Sequence, residues 1–251
     1  MSFLFFFLIG LAFGSFASVI IHRLHTNRRG IFLGRSECPE CHRVLGARDL
    51  IPLLSYCINK FKCRFCKKPI LFRYPLLEIV MGLGFGITSL LVGFESFGSL
   101  IFYIFIAFTF VTLSFYDLLF QEVADEIALP AIGITLLFMI LTKSLSLGSL
   151  GLGLLVPVFF FGFLFWVSKG EWLGGGDIRI GALMGALLGW PVILVGLFLG
   201  YLLGAIYSLV GMFFKKLNRK SHIPFAPFLL LGTYIALFWG RDIMDWYLNI
   251  T

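Results

Sequence analysis

Four cysteines stand as two Cys-x-x-Cys pairs, Cys38/Cys41 and Cys63/Cys66, with 21 residues between them. Each pair is a compact chelate that aims two thiolates at one metal. Two pairs make a tetrahedral four-sulfur site, which suits zinc. Four protein ligands leave no open position, so such a zinc is structural rather than catalytic. The basic neighbours Arg43, Lys62, Arg64 and Lys67 favour the thiolate form. Two disulfides or four free thiols are the alternative, which a reducing compartment disfavours. A stretch this short cannot fold on apolar burial alone, and a metal staple answers that need. Cys57 has no partner in the pattern and reads as packing.

The second chemistry is carboxylate chemistry. Acids in or beside apolar runs are costly and are functional candidates by default; here they are Glu78, Asp117, Glu122, Asp125, Glu126 and Asp177. Asp177 follows Gly174-Gly175-Gly176 and precedes an apolar run. Glycines without side chains let another backbone approach closely. The local sequence also fits a cap or first-turn acid at a helix start, and both readings stand. Asp117, in Ser114-Phe115-Tyr116-Asp117-Leu118, reads equally as a helix-end acid. Asp125 and Glu126 read as first-turn acids of a helix, and Glu78 as a counter-ion for a nearby base. Two carboxylates held close share one proton, because both cannot ionise cheaply. The neutral one then donates to a peptide carbonyl while the ionised one activates water. No Ser-His or Cys-His arrangement competes: His22, His25, His42 and His222 lie in or beside loops.

These residues need a frame, and composition says which. The chain has 251 residues, 59% hydrophobic and 13% charged, against about 25% charged in a soluble domain. The apolar residues fall in eight blocks, roughly 1–21, 74–94, 97–116, 127–142, 147–168, 177–190, 191–214 and 224–240. The expectation is an all-α polytopic membrane protein with about eight transmembrane helices and a loop domain that binds zinc. The first block lacks a charged leader and a small-residue cleavage site, so it reads as a retained span. Residues 22–73 hold 12 of the 20 Lys and Arg and 3 of the 13 acids. Under the positive-inside rule that loop is cytoplasmic and the N-terminus outside; Lys169, Lys215, Lys216, Arg219 and Lys220 then also fall inside. A nucleic-acid patch is disfavoured, because the basic residues flank two spans and no aromatic binding motif accompanies them. With this topology Asp117, after the third span, and Asp177, opening the sixth, reach the same cytoplasmic face.

Taken together, several segments resemble the type IV prepilin peptidases. They are Gly14-Ser15-Phe16-Ala17-Ser18-Val19-Ile20-Ile21-His22-Arg23-Leu24, the two Cys-x-x-Cys pairs with Ile51-Pro52-Leu53-Leu54-Ser55 between them, and Arg73-Tyr74-Pro75-Leu76-Leu77-Glu78. Gly174-Gly175-Gly176-Asp177 and Ile223-Pro224-Phe225-Ala226-Pro227-Phe228 complete the set, in the family's order. The resemblance implies a GxGD-type aspartyl endopeptidase with Asp117 and Asp177 as catalytic pair. Its substrates would be prepilins or pseudopilins, whose basic leader precedes an apolar helix, cut at the cytoplasmic face of the bacterial inner membrane. Gly174, Gly175 and Gly176 would border the substrate, and the acids Glu122, Asp125 and Glu126 would receive the basic leader. It also implies N-methylation of the new N-terminus with S-adenosylmethionine as methyl donor, linked to the cysteine loop; no residue is assigned to the donor. The domains expected are 1–21, a first span; 22–73, the zinc loop; and 74–251, the protease. Three positions depart from the family pattern: Val123-Ala124 where Ile-Pro or Leu-Pro is usual, Arg179 where Lys is usual, and Phe61 in place of a Gly.

Two other classes remain to be weighed. A transporter with an Asp pair as proton relay would show internal repeats and paired broken helices, and no clear repeat is present. A methyltransferase without protease activity would not need Asp117 and Asp177.

Overall fold

Apolar blocks interrupted by Gly, Pro and short polar turns dictate helices, since only helices or closed barrels satisfy backbone polar groups in lipid. The computed structural model describes residues 2–26, 36–38, 40–41, 43–94, 96–171, 173–214 and 223–250. Eight long helices form: α1 (Ser2–His25), α3 (Arg73–Val92), α4 (Phe97–Phe120), α5 (Asp125–Thr142), α6 (Leu147–Ser168), α7 (Gly175–Leu188), α8 (Ile193–Phe213) and α9 (Ala226–Ile250). Between α1 and α3 lie a 3-10 turn, Ala47–Leu50, and the short helix α2 (Leu54–Ile58). Among the described residues, six of the long helices are long and apolar enough to cross a membrane. Of the other two, α7 has only 14 residues, and α9 carries Arg241, Asp242 and Asp245 towards its end.

The helices match the eight expected blocks, but α1, α4 and α9 run beyond them at their C-terminal ends. Polar residues such as His22 and Arg23 end the lipid-like stretch without ending the helix. Gly189, at φ +64°, and the left-handed Lys143 and Lys169 close α7, α5 and α6. Lys215, Lys216, Arg219, Lys220, His222, His42, Trp172 and part of the basic loop lie outside the described residues.

The chain divides into two compact units, Met1–Thr112 and Leu113–Thr251, with the division inside α4. In the first, α1 packs along α3. In the second, α7 is the central helix, contacted by α5, α6, α8 and α9. Its Ile180, Leu183 and Met184 are fully buried, along with Phe161, Ile193 and Leu229. The α6–α7 contact is backbone on backbone: a Cβ on Gly185 would run into the Gly153 carbonyl. Large apolar side chains such as Phe159, Trp166, Phe198 and Phe213 point outward. That is an ordinary surface for a polytopic membrane protein, where lipid replaces water.

The close α6–α7 approach makes a stability prediction. Gly185→Ala lowers stability in detergent by about 1–3 kcal/mol through overpacking. Gly133→Ala, with open space around its Cβ, leaves stability unchanged or raises it by up to ~1 kcal/mol. Thermal unfolding of the two variants checks the contrast.

Candidate functional site

The second unit brings the two aspartates together. Asp117 lies one turn before the end of α4 and is only 6% exposed. Its Oδ2 accepts the Ala226 N–H at 3.0 Å. Ala226 is the first residue of α9, where backbone N–H groups have no partner within the helix. The buried carboxylate and the open helix start therefore satisfy each other. Asp177 sits in the first turn of α7, with Gly174 at the cap. Its carboxylate reaches back to the Gly174 N–H, half of a capping box, and also lies in the electrostatic field of Asp117. The local role and the pairing thus coexist.

The surrounding residues sort themselves less evenly than the sequence suggested. Of the three glycines, Gly176 is the one that permits close approach, and what approaches is a side chain: a Cβ there would meet Val123 Cγ2 at 2.5 Å. Gly175 faces open space. The Val123 contact joins the turn after Asp117 to the turn bearing Asp177. Ala124, in the family's Pro position, is the buried cap residue of α5. Asp125 forms an ion pair with Arg179 at 2.9 Å, without the alignment of a hydrogen bond, and both side chains are about two-fifths exposed. Glu122 and Glu126 are exposed, and both act electrostatically on Tyr116.

In the first unit the four cysteine sulfurs lie within 4.8 Å of one another, and Cys38 Sγ to Cys66 Sγ is 4.0 Å. No disulfide joins any of the four. A zinc at about 2.3 Å from four sulfurs places them about 3.8 Å apart, so the cluster fits the ion. The two knuckles repeat one another. The Glu37–Val44 bridge recurs 25 residues on as Lys62–Pro69. Cys38 N–H donates to the Arg43 carbonyl at 3.0 Å, and Cys63 N–H to the Lys68 carbonyl at 2.8 Å. Burial pushes the Cys38 thiol up to about 11. Cys63 is desolvated too, yet the N–H groups of Cys66 and Phe65 outweigh this and bring it down to about 7. Arg43 lies over the Phe65 ring at 4.8 Å, tying one knuckle to the other, and Lys68 pairs with Glu40 across them. Phe61 stands at φ +64°, a left-handed conformation that suits the Gly usual in the family, and its ring packs on Tyr56 at 4.8 Å. Cys57, expected to pack, is instead exposed on α2.

Glu78 was the least defined candidate, and three motif segments converge on it. Its Oε2 accepts the Leu53 N–H at 2.9 Å, and the Ser15 hydroxyl bonds the same carboxylate. Gly14 lies so close that a Cβ would sit 2.6 Å from Glu78 Cα. The partners are an N–H and a hydroxyl, not the base that the sequence suggested. Beside it opens a cavity of about 470 Å³, lined by Ser15, His22, Tyr56, Asn59, Tyr74 and Glu78 among others, and bordered by Cys38 and Cys63. Sequence reasoning missed this cavity and the Ala226 partner of Asp117. The motif segments marked both places, but a backbone N–H leaves no signature of what it binds.

Comparison with known proteins accords with this geometry. The Bacterial Peptidase A24 N-terminal domain matches residues 8–92, and the type IV leader peptidase family matches residues 103–209. The prepilin leader peptidase/N-methyltransferase of Aeromonas hydrophila is 32% identical, covering 97% of this chain and 92% of its own length. That of Legionella pneumophila is 31% identical over 96% and 93%. That of Klebsiella pneumoniae is 36% identical over 74% and 85%. No solved structure matches. With both domains in order and relatives aligned along nearly its whole length, the chain belongs to the type IV leader peptidase family.

Proposed function

We propose that this chain is an intramembrane aspartyl endopeptidase that removes the basic leader of prepilin-like proteins and then methylates the new N-terminus. The observation that carries the first half is the Asp117–Asp177 pair, in which Asp177 lies in the electrostatic field of the buried Asp117 within a largely apolar bundle. One carboxyl holds a proton and the other is ionised. The ionised one takes a proton from water as the water oxygen bonds to the peptide carbon. The protonated one gives its proton to the carbonyl oxygen, forming a gem-diol. Collapse of the gem-diol breaks the C–N bond: the proton taken from water passes to the departing nitrogen, and one hydroxyl proton of the gem-diol returns to the aspartate that had protonated the carbonyl oxygen. The Ala226 N–H fixes one Asp117 oxygen and leaves the other to react.

With the N-terminus outside, the pair lies at the cytoplasmic face of the bacterial inner membrane. The exposed Glu122 and Glu126 meet the leader's Lys and Arg there, while Asp125 is engaged by Arg179. The open space at Gly175 leaves room for an extended peptide. The division of labour runs from a first span at 1–21 through the cysteine loop at 22–73 to the protease at 74–251.

Methylation belongs to the cysteine unit. S-adenosylmethionine supplies the methyl group when bound. The cavity beside Glu78 is large enough for it, and the carboxylate offers the negative charge that a sulfonium or an α-ammonium needs. The α-ammonium must lose a proton before it can accept a methyl group, and Glu78 is a half-buried base that lines the cavity. Zinc on Cys38, Cys41, Cys63 and Cys66 holds the wall of that cavity and takes no part in cleavage.

Three outcomes test this reading. Asp117→Asn and Asp177→Asn each lower leader cleavage by about 10²- to 10⁴-fold while the protein stays folded and inserted. Mass spectrometry of a prepilin incubated with the reconstituted protein and S-adenosylmethionine reads both activities. If both variants cleave at the wild-type rate, the aspartyl mechanism is wrong. Metal analysis gives about one zinc per chain on a four-sulfur site, and Cys63→Ser with Cys66→Ser removes it and the methylation but spares cleavage. Glu78→Gln lowers methylation of a pre-cleaved substrate by about 10- to 100-fold and leaves cleavage intact.

A further inference from the structure

Tyr201 lies within the apolar helix α8, and its ring is packed by three others. Phe225 is 4.9 Å away between centroids, Phe160 is 6.0 Å away edge-on, and Phe161 lies nearly parallel at 6.5 Å. Its hydroxyl oxygen is shut off from solvent and has no hydrogen-bond partner among the described residues. A phenylalanine would keep every one of these ring contacts without a polar atom to desolvate. A buried hydroxyl left unpaired weakens the fold and calls for a cause.

The position of that hydroxyl supplies one. Phe225, the nearest ring, immediately precedes Ala226, whose N–H holds Asp117. Phe161 packs under Gly181, one turn along α7 from Asp177. The Tyr201 hydroxyl also lies in the electrostatic field of Asp177. Tyr201 is thus packed against the supports of both carboxylates. Were its task to steer an aspartate, the hydrogen bond would already be made in the free protein. It is not made, so the donor is free for something that enters the site.

We propose that Tyr201 is a third catalytic residue, whose hydroxyl donates a hydrogen bond to the scissile carbonyl oxygen of the bound peptide. The inference rests on the aspartyl reading above. As the water oxygen bonds to the peptide carbon, negative charge grows on the carbonyl oxygen before the protonated aspartate has fully delivered its proton. The Tyr201 O–H stabilises that charge and keeps its own proton throughout. A donor held by ring packing in a dry site stabilises that charge more strongly than it would in water. The unpaired state of the free protein is what such a donor looks like before substrate arrives.

Tyr201→Phe tests this with the least disturbance. Leader cleavage by the full-length variant loses about 10- to 1000-fold in kcat, KM stays within about 3-fold, and Tm is unchanged or higher. A wild-type kcat overturns the inference. A fall in Tm alongside the fall in kcat also overturns it, because the hydroxyl would then be supporting the fold. Asp117→Asn and Asp177→Asn are assayed in parallel. If those two retain activity, the aspartyl reading fails and takes this inference with it. If they are inactive while Tyr201→Phe is normal, the role of Tyr201 alone fails.

Discussion

A carboxylate buried in an apolar bundle has to find a donor, and in the second unit that need sets the local structure. Asp117 meets it with the backbone N–H of Ala226. The contact fixes the end of α4 against the start of α9 across 109 residues of sequence. The segment Pro224-Phe225-Ala226-Pro227 suits the task, since neither proline has an N–H to compete and both restrict the backbone. From the same anchor, Phe225 carries the Tyr201 ring, and Val123, six residues after Asp117, fills the space left by Gly176.

Parts of this were legible in the sequence. Long apolar blocks located the spans because lipid imposes the same demand on every turn of a helix. Where the helices end was not legible, since hydropathy marks the edge of lipid and not the last backbone hydrogen bond. Thus α1 continues through His22 and Arg23, and α9 through Arg241 and Asp242. The cysteine spacing announced a four-sulfur cluster because chelation is local within each pair. Counting spans and charges put Asp117 and Asp177 at one face, and Asp177 lies in the electrostatic field of Asp117. The partner of Asp117 was invisible, because any residue but proline offers a backbone N–H. The same holds for Glu78, whose acid side chain suggested a base and whose donors proved to be Leu53 N–H and Ser15. The run of three glycines looked uniform, yet only Gly176 is hemmed in by a neighbouring side chain.

The cysteine unit shows how one departure from family pattern is accommodated. Phe61 holds a left-handed conformation, which costs a residue with a Cβ roughly 1–2 kcal/mol. Its ring regains part of that on Tyr56, since an aromatic pair contributes about 0.5–1.5 kcal/mol. Tyr56 in turn lines the cavity beside Glu78. Phe61 itself does not line that cavity and touches it only through Tyr56, and the knuckle bonds are in place.

Helix α7 has 14 residues, a reach of about 21 Å. The hydrocarbon core of a bilayer is about 30 Å thick. Because α5, α6, α8 and α9 surround α7, the shortfall falls on the loops at its ends and not on lipid. Asp177 stands in the first turn of that helix. Hydrolysis consumes one water for every bond cut, in surroundings that otherwise exclude it. A helix that stops short of the bilayer's depth leaves irregular chain at its end, and Asp177 stands where that chain begins.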